Sequence, residues 1–279
     1  MDLSRSTYYY ESKVKAEESL KREADIRDCI ESIACEFPRY GYRRITKQLH
    51  REGFMVNHKK VLRIMRESSL LCSVKRKWIK TTDSVHPFRR YPNLIKKRVP
   101  GGLNQIWVAD ITYIRISTAF VYLAIILDAF SRKVVGYAIS KSLGNDLTIQ
   151  ALKSAIALRN PKKGCIHHSD QGIQYACKEY IGILESSGFQ ISMSAKGNPY
   201  DNAMAESFMK TLKHEEVHLW EYQTFEDVVE RLPYFIEKVY NLKRLHSSLG
   251  YVPPDEFEAS YFNNNAFRGT NLLDNYSTV

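Results

Sequence analysis

The stretch 105–116, QIWVADITYIRI, is rich in β-branched and aromatic side chains and carries one acid, Asp110, among apolar neighbours. Two similar runs follow it, FVYLAIILDAF at 120–130 and KVVGYAIS at 133–140, with short turns between them. Runs of this composition that are bounded by turns predict β-strands. The three runs therefore predict a meander of three strands that opens a globular domain at residue 104.

Helices and strands alternate in the sequence after this meander. NDLTIQALKSAIALRN (145–160) predicts a helix capped by Asn145 or Asp146, with Leu147, Ala151, Leu152, Ala155 and Ile156 on its apolar face. CIHHS (165–169) and FQISMS (189–194) read as short strands, and helical patterns occupy 174–188 and 201–217. The order predicts an α/β domain built on a mixed sheet of five strands with flanking helices.

Upstream of the meander the sequence predicts a small all-α domain. Residues 15–37 have helical spacing of Ile26, Ile30, Ile33 and Phe37. Two short helices then follow, with Gly53 between them. The first faces inward through Ile45 and Leu49. The second is capped by Asn57 and faces inward through Val61, Leu62 and Met65. This pattern predicts a helix-turn-helix, and a plain helical hairpin with a charged outer face is the alternative. The DNA-contacting candidates are basic residues of the two helices: Arg43, Arg44, Lys59, Lys60 and Arg63.

Charge is distributed unevenly along the chain. Residues 1–100 contain 24 Lys and Arg against 12 Asp and Glu, a net of +12, and the remainder has 41 − 24 = 17 basic and 31 − 12 = 19 acidic residues, a net of −2. A basic arm on a near-neutral domain is typical of nucleic-acid binding. We predict a helical DNA-binding region at 1–68, a basic linker at 69–103, a core at 104–260 and a flexible tail at 261–279. With five cysteines that form no C-x-x-C pair and no long apolar run, a cytoplasmic location without membrane spans is expected.

Three carboxylates are candidates for a catalytic metal site. Asp110 lies inside the first strand, where an unpaired charge is costly, and Asp170 directly follows the strand CIHHS. Glu206 lies in the last of these helices. Carboxylates gathered at one sheet edge would form an all-oxygen site for Mg²⁺ or Mn²⁺, although a turn or capping role remains an alternative for each aspartate. Asp128 is interpreted as a turn residue between the second and third strands.

The stretch HEEVH, residues 214–218, offers a competing zinc site. His214 and His218 share a helix face at i and i+4, and Glu215 would act as the base. No third ligand follows at the usual spacing, so a zinc hydrolase is kept only as a remote alternative. His167 and His168 are interpreted as strand residues beside the carboxylates rather than as ligands.

Four segments together give the sequence a family resemblance: WVADITYI, HSDQGIQY, GNPYDNAMAESFMKTLK and YNLKRLHSSLGYVPPDEFE. In their order they resemble the integrase-type transposases of bacterial insertion sequences, specifically the product of the downstream of two overlapping reading frames. Asp170 and Glu206 are separated by 35 residues, as in the D,D-35-E pattern of that family. A catalytically silent DNA-binding relic of a mobile element is the second hypothesis.

The resemblance implies a ribonuclease-H-like fold in which Asp110, Asp170 and Glu206 hold two Mg²⁺ or Mn²⁺ ions. It implies DNA cleavage at the terminal inverted repeats of an element and transfer of the 3′-OH into target DNA. Lys213, seven residues after Glu206 and therefore within roughly 20° of the same helix face, is expected to contact DNA backbone. Four residues are expected to shape the loop that aims Glu206: Asn198, Tyr200, Asp201 and Asn202.

The resemblance also implies partners. A homo-oligomer on DNA and association with the nucleoid are expected, and the family commonly adds an upstream-frame DNA-binding segment as a fusion or partner. Without that segment we expect this chain to bind element ends weakly. Pro233 departs from the family pattern of a continuous helix and is expected to kink or split it.

Overall fold

The computed structural model describes residues 17–72, 89–96, 98–194 and 202–273, with only the backbone described at 17–18 and 265–273. The chain divides into two compact units, residues 1–75 and 76–279. No helix in these described ranges is both long and apolar enough to cross a membrane.

The described part of the first unit, residues 17–72, contains three helices: α1 (Glu17–Glu36), α2 (Tyr42–Arg51) and α3 (His58–Glu67). The inward residues expected on α1 are buried, and Ile45 and Leu49 of α2 are fully buried. Gly53 has a φ of +90°, a conformation that favours glycine, so it allows the chain to turn after α2. The Asn57 side chain accepts a hydrogen bond from the Lys59 amide at 2.8 Å and caps α3, as predicted.

The inward face of α3 differs from the prediction at one position. Val61, Ile64 and Met65 are fully buried, whereas Leu62 is only half-buried. Positions i, i+3 and i+4 share one side of a helix, and the residue after position i lies about 100° away from that side. Ile64 therefore occupies the core position that the prediction gave to Leu62.

The second unit contains the predicted mixed sheet. Its strands are β1 (Ile106–Arg115), β2 (Phe120–Asp128), β3 (Val134–Ser140), β4 (Ile166–Ser169) and β5 (Gln190–Met193), in the spatial order β3-β2-β1-β4-β5. The first three strands pair antiparallel, and β4 pairs parallel with both β1 and β5. The predicted α/β fold class, a mixed five-stranded sheet with flanking helices, is confirmed.

Helices cover both faces of this sheet. One face packs on α4 (Asn145–Arg159), α5 (Ile173–Ala176) and α6 (Lys178–Ser186). The other packs on α7 (Ala203–Leu212), the π-helical turn Lys213–Val217, α8 (Phe225–Tyr234) and the π-helix Phe235–Asn241. A short 3₁₀ turn, Ser247–Leu249, and the helix α9 (Pro254–Leu273) complete the described chain, so α9 continues past residue 260, where the predicted tail begins.

Two helix details differ from, or refine, the predictions. The N-cap of α4 is Gly144, with no side-chain capping bond, so neither Asn145 nor Asp146 is the cap. Pro233 lies inside α8, and the helix changes from α to π geometry at Phe235. The turn that precedes Pro233 keeps α geometry although proline removes a backbone donor there, so the chain stays helical and divides into an α part and a π part.

Gly136 allows β3 and α4 to pack closely. A Cβ at this position would lie 2.5 Å from the Ala151 carbonyl oxygen and 2.6 Å from the Ala155 Cβ. We expect Gly136→Ala to destabilise the protein by about 1–3 kcal/mol, because the helix backbone must move away from the strand. Urea unfolding followed by circular dichroism measures the change.

Gly182 provides the matched control for this substitution. It lies inside α6, and nothing comes within 4 Å of a Cβ placed there. Gly182→Ala should therefore stabilise the protein by about 0.5–1 kcal/mol through helix propensity. Equal effects of the two substitutions would contradict the close approach at Gly136.

Candidate active site and DNA-binding unit

Asp110 and Asp170 lie at the same level of the sheet. The parallel register of β1 and β4 pairs Ile106 with Ile166 and Val108 with His168, an offset of 60 residues. The same offset carries Asp110 onto Asp170, which directly follows the last residue of β4. Neighbouring strands are separated by about 4.8 Å, and residues at one register level of a parallel pair face the same side. The fold therefore brings the first two candidate carboxylates together.

Glu206 reaches the same region from α7. Ile106, Val108 and Ile114 of β1 pack on the sheet face that Ala205, Phe208 and Leu212 of α7 cover. Because side chains alternate along a strand, Asp110 belongs to that face too. Glu206 lies in the first turn of α7 and is exposed.

The electrostatics of Asp110 show that the three carboxylates influence one another. Burial raises the pKa of Asp110 to about 7, the Asp170 charge contributes next, and the Glu206 charge contributes less. A hydrogen bond from the Ile111 amide at 2.9 Å and the Lys213 charge act in the opposite direction. The pKa of Glu206 is also raised, by desolvation. Strong perturbation of a carboxyl by burial and like charge is typical of functional sites.

Backbone groups hold the two aspartates. The Ile111 amide donates to Oδ1 of Asp110, and the Gly172 amide donates to Oδ1 of Asp170, each at 2.9 Å. A Cβ on Gly172 would lie 2.9 Å from that same Asp170 oxygen. Glycine at position 172 thus lets the chain turn tightly around the Asp170 carboxylate.

Lys213 also faces this site. Its ammonium lies 5.0 Å from the centre of the Tyr113 ring, and the Asp110 charge affects its ionisation. Desolvation lowers the pKa of Lys213, and the Asp110 charge partly offsets that effect. The structure therefore places a half-buried lysine beside the carboxylates, at the start of the π-helical turn that extends α7.

The chemistry of the carboxylates suits a divalent cation. Carboxylate oxygens are the ligands that Mg²⁺ and Mn²⁺ prefer, and a cation near Asp110 would offset both its burial and its like-charged neighbours. Within residues 17–72, 89–96, 98–194 and 202–273, no three His, Cys, Asp or Glu side chains are gathered tightly enough to hold one ion at once. The carboxylates are thus neighbours that interact through their charges, without being drawn into a single coordination sphere.

Of the four predicted loop residues, only Asn202 lies in the described part of the chain. Its side-chain amide donates to the Ala109 carbonyl at 3.2 Å, and it is the N-terminal flanking residue of α7. This bond joins the start of the Glu206 helix to the residue before Asp110. Asn198, Tyr200 and Asp201 lie outside the described residues.

The zinc interpretation of HEEVH is not supported. Glu215 accepts two hydrogen bonds from Arg244, at 2.6 and 2.7 Å, so it is not available as a base. Glu216 is buried and accepts bonds from Tyr222 and Arg231, both at 2.9 Å. Through these hydrogen bonds the two glutamates hold the π-helical turn against residues that follow it in the chain. Sequence reasoning missed Arg244, although it lies in the fourth segment on which the family resemblance rests.

Asp128 and the two histidines have structural roles. Oxygens of Asp128 accept backbone hydrogen bonds from Asn104, Phe130 and Ser131 at 2.6–3.2 Å, which confirms its interpretation as a turn residue. His167 and His168 are buried in β4, and they bond Tyr180 at 2.9 Å and Ser192 at 2.8 Å.

The basic residues of the first unit differ in their surroundings. Lys60 and Arg63 form ion pairs with Glu23 of α1 at 3.2 and 2.8 Å, and Arg63 also pairs with Glu67. The guanidinium groups of Arg43 and Arg44 lie over the rings of Tyr42 and Tyr40. Lys59 is exposed and has no ion-pair partner among the residues described. Arg66, also exposed, lies seven residues from Lys59 on the same helix face, and the candidate set omitted it.

Comparisons with known proteins agree with this architecture. The family described as Integrase core domain matches residues 102–199, a second family of the same description matches 187–254, and the HTH-like domain family matches 21–78. Among solved structures, a chain of the simian T-cell lymphotropic virus intasome is similar at 20% identity with a TM-score of 0.45, over 78% of this chain and 70% of that chain.

Curated relatives match over most of their length. The insertion element IS600 31 kDa protein of Shigella sonnei is 37% identical over 93% of this chain and 96% of its own. The transposase for insertion sequence element IS904 of Lactococcus lactis is 40% identical over 79% of this chain and 87% of its own. The transposase for IS629 of Shigella sonnei is 34% identical over 80% of this chain and 75% of its own. The chain therefore belongs to the family of insertion-sequence transposases that carry an integrase core domain.

Proposed function

We propose that this chain is a polynucleotidyl transferase that cuts DNA at the ends of an insertion sequence and joins the released 3′-OH to target DNA. Its catalytic residues are Asp110, Asp170 and Glu206. The observation that carries this proposal is the shared register level of Asp110 and Asp170, together with a raised Asp110 pKa caused by burial and by the other two carboxylates. A site that concentrates negative charge in this way is suited to binding cations, and a bound cation would in turn attract the phosphates of DNA.

The three carboxylates would hold Mg²⁺ or Mn²⁺, two ions in all. When bound, such ions supply positive charge that stabilises the attacking and leaving oxygens of an in-line phosphoryl displacement. Asp110 and Asp170 bind from the centre of the sheet, where backbone amides at 2.9 Å fix the Oδ1 atoms. Glu206 joins them from the first turn of α7. In the first step, water attacks the phosphodiester at the element end and a 3′-OH leaves. In the second step, that 3′-OH attacks a phosphodiester of the target DNA, and a 3′-OH of the target strand leaves. Neither step requires a covalent enzyme intermediate.

Lys213 contacts the phosphate backbone beside the scissile bond. Two observations support this role: the Lys213 ammonium lies 5.0 Å from the centre of the Tyr113 ring, and the Asp110 charge affects its ionisation. Asn202 fixes the start of α7, and Asn198, Tyr200 and Asp201 shape the loop that precedes it.

The first unit binds the terminal inverted repeats. Lys59 is the most available of the proposed contacts, with Arg43 and Arg44 on the neighbouring helix. The ion pairs of Lys60 and Arg63 with Glu23 are partly exposed, so phosphate can compete for both side chains at low energetic cost. We further propose that the chain works as a homo-oligomer on nucleoid DNA, together with an upstream-frame DNA-binding partner or fusion.

A strand-transfer assay tests the proposed activity. The purified chain is incubated with a duplex that contains the ends of the encoding element and a supercoiled target, with Mg²⁺ or with EDTA. Nicked and joined products should form with Mg²⁺ only. Asp170→Asn should reduce them by roughly a thousandfold, because a charged ligand is lost where transition-state charge develops.

Asp146→Asn is the matched control for that variant. It removes the same charge from an exposed position in the first turn of α4, and we expect its products to equal those of the unaltered chain. Joining by Asp170→Asn at the unaltered rate would show that the carboxylate assignment is wrong.

A further inference from the structure

Helix α3 has one side that carries two cations and one apolar side chain. Lys59, Leu62 and Arg66 lie at positions i, i+3 and i+7, within about 60° of one another around the helix axis. Lys59 and Arg66 are exposed and Leu62 is half-buried, and we call these three residues the open face of α3. Among the residues that the structure describes, neither cation of the open face has an ion-pair partner.

The adjacent side of α3 is joined to α1 by ion pairs. Lys60 and Arg63 pair with Glu23 of α1 at 3.2 and 2.8 Å, and Arg63 also pairs with Glu67 at 2.8 Å. Glu67 in turn accepts a hydrogen bond from Arg27 of α1 at 3.1 Å. These bonds hold α3 from one side and, in the described part of the chain, leave the cations of the open face for a ligand.

The open face has the chemistry that suits the major groove of DNA. Arginine can donate two hydrogen bonds to O6 and N7 of guanine, and an apolar side chain can contact the 5-methyl group of thymine. Lys59 lies in the first turn of α3, where the positive end of the helix dipole also favours a phosphate. From Lys59 to Arg66 the helix rises about 10 Å, which is about three base pairs of DNA. One short DNA segment can therefore meet all three side chains.

The basic residues of α2 are better suited to the DNA backbone. The guanidinium groups of Arg43 and Arg44 lie over the rings of Tyr42 and Tyr40, 5.2 and 5.4 Å from the ring centres. A phosphate accepts hydrogen bonds from many directions, whereas a base edge requires two aligned donors. In helix-turn-helix proteins the first helix crosses the backbone and the second lies in the major groove. This division assigns the reading of bases to α3.

We propose that the open face of α3 reads the sequence of the terminal inverted repeat. The Arg66 guanidinium donates two hydrogen bonds to a guanine, the Leu62 side chain contacts the methyl group of a thymine about two base pairs away, and Lys59 pairs with a phosphate. Arg66 and Leu62 are thus specificity-determining residues, and Lys59 is a backbone contact. The inference rests on the proposed function, because it names the residues that select the DNA on which the carboxylates act.

Arg66→Met is the direct test, since it removes the donors from an exposed position. The full chain is titrated in EDTA into two fluorescent duplexes, one with the terminal repeat of the encoding element and one with the same bases scrambled. Fluorescence anisotropy gives both dissociation constants. We expect Arg66→Met to weaken binding to the repeat about 10–100-fold and binding to the scrambled duplex far less.

Lys59→Met is the matched control, because it removes the same charge from the same face of α3. It should weaken binding to both duplexes by the same factor, and the slope of log affinity against log salt concentration should fall by about one. The preference for the repeat should stay as in the unaltered chain. The two variants thus separate a base contact from a phosphate contact.

Modified bases give a second reading that leaves the protein unaltered. 7-Deazaguanine, which lacks the N7 acceptor, replaces each guanine of the repeat in turn. One position should reproduce the loss seen with Arg66→Met and should have no further effect on that variant. Uracil in place of a thymine about two base pairs away should weaken binding roughly fourfold, and this loss should vanish in Leu62→Ala.

The outcomes distinguish this inference from the proposed function, because binding in EDTA requires no catalysis. If the unaltered chain joins element ends and Arg66→Met keeps its preference for the repeat, only the reading role is overturned. Equal losses on both duplexes, or no guanine sensitive to 7-deaza substitution, would likewise make Arg66 a backbone contact. If the unaltered chain neither joins element ends nor prefers the repeat, the proposed function is wrong and the reading role falls with it.

Discussion

Asp110→Asn should abolish DNA joining, by roughly a thousandfold or more, and should also make the metal-free protein harder to unfold at pH 7.5. Burial and the charges of Asp170 and Glu206 raise the pKa of Asp110 to about 7, whereas an aspartate in the unfolded chain titrates near 3.9. The folded state therefore binds the proton more tightly than the unfolded state does. An ionised Asp110 thus lowers the free energy of unfolding, by an amount on the order of a few kcal/mol at most.

The sign of this effect fixes its pH dependence. The destabilisation is fully present above about pH 7, decreases as the pH falls towards 4, and is absent below the unfolded pKa. Asparagine carries no charge at any of these values. The difference in unfolding free energy between Asp110→Asn and the unaltered chain should therefore be largest at pH 7.5 and close to zero at pH 4.

Urea unfolding in EDTA at pH 4, 5.5 and 7.5 measures this difference. Trp107 is fully buried in β1, three residues from Asp110, so its fluorescence reports the second unit. Glu179→Gln is the control, because it removes an exposed acid from the first turn of α6 and should slightly lower stability. A stability difference for Asp110→Asn that does not change with pH would contradict the raised pKa.

A gain in stability with a loss of activity would identify Asp110 as a residue kept for function. Mg²⁺ should reduce the difference in unfolding free energy between the two chains. A bound ion stabilises the folded unaltered chain, and the variant has one ligand fewer for it. The same reasoning accounts for an acid in the middle of an otherwise apolar strand. In the middle of such a strand an uncompensated charge opposes folding, so the acid is explained by its function and not by stability.

The sequence was informative wherever a pattern repeats along the chain. Apolar runs rich in β-branched and aromatic residues predicted β1, β2 and β3, and the acid inside the first run pointed to Asp110. The register of β1 and β4 then explains why Asp170 follows β4 directly. These features are visible because side-chain composition and turn residues are local properties of the chain.

Other features could not be read from the sequence, because they depend on contacts between distant residues. HEEVH has the letters of a zinc motif, but its supposed base, Glu215, accepts a hydrogen bond from Arg244, which lies 29 residues further along the chain. Gly144 replaced Asn145 and Asp146 as the cap of α4 because polar residues at neighbouring positions are all plausible caps.

Arg244→Met should cause the largest loss of stability among the substitutions considered, about 3–5 kcal/mol. The Arg244 guanidinium and the Glu215 carboxylate form a two-bond pair at 2.6 and 2.7 Å, and the side chains are 5% and 13% exposed. Methionine fills a similar volume but removes both hydrogen bonds that Arg244 donates to the nearly buried Glu215 carboxylate. Thermal and urea unfolding in EDTA measure the loss.

The same pair should matter for DNA joining through Lys213. Glu215 lies two residues after Lys213 in the π-helical turn Lys213–Val217, so the Arg244 bonds fix the turn that presents the Lys213 ammonium near Asp110. Lys243→Met is the control, since it removes an adjacent exposed charge and should change stability by less than about 0.5 kcal/mol. The double variant Arg244→Met with Glu215→Leu should recover most of the lost stability, because the carboxylate that Arg244 neutralised is also removed. A double variant as unstable as Arg244→Met alone would mean that packing of the arginine, rather than its pairing with Glu215, supports the turn.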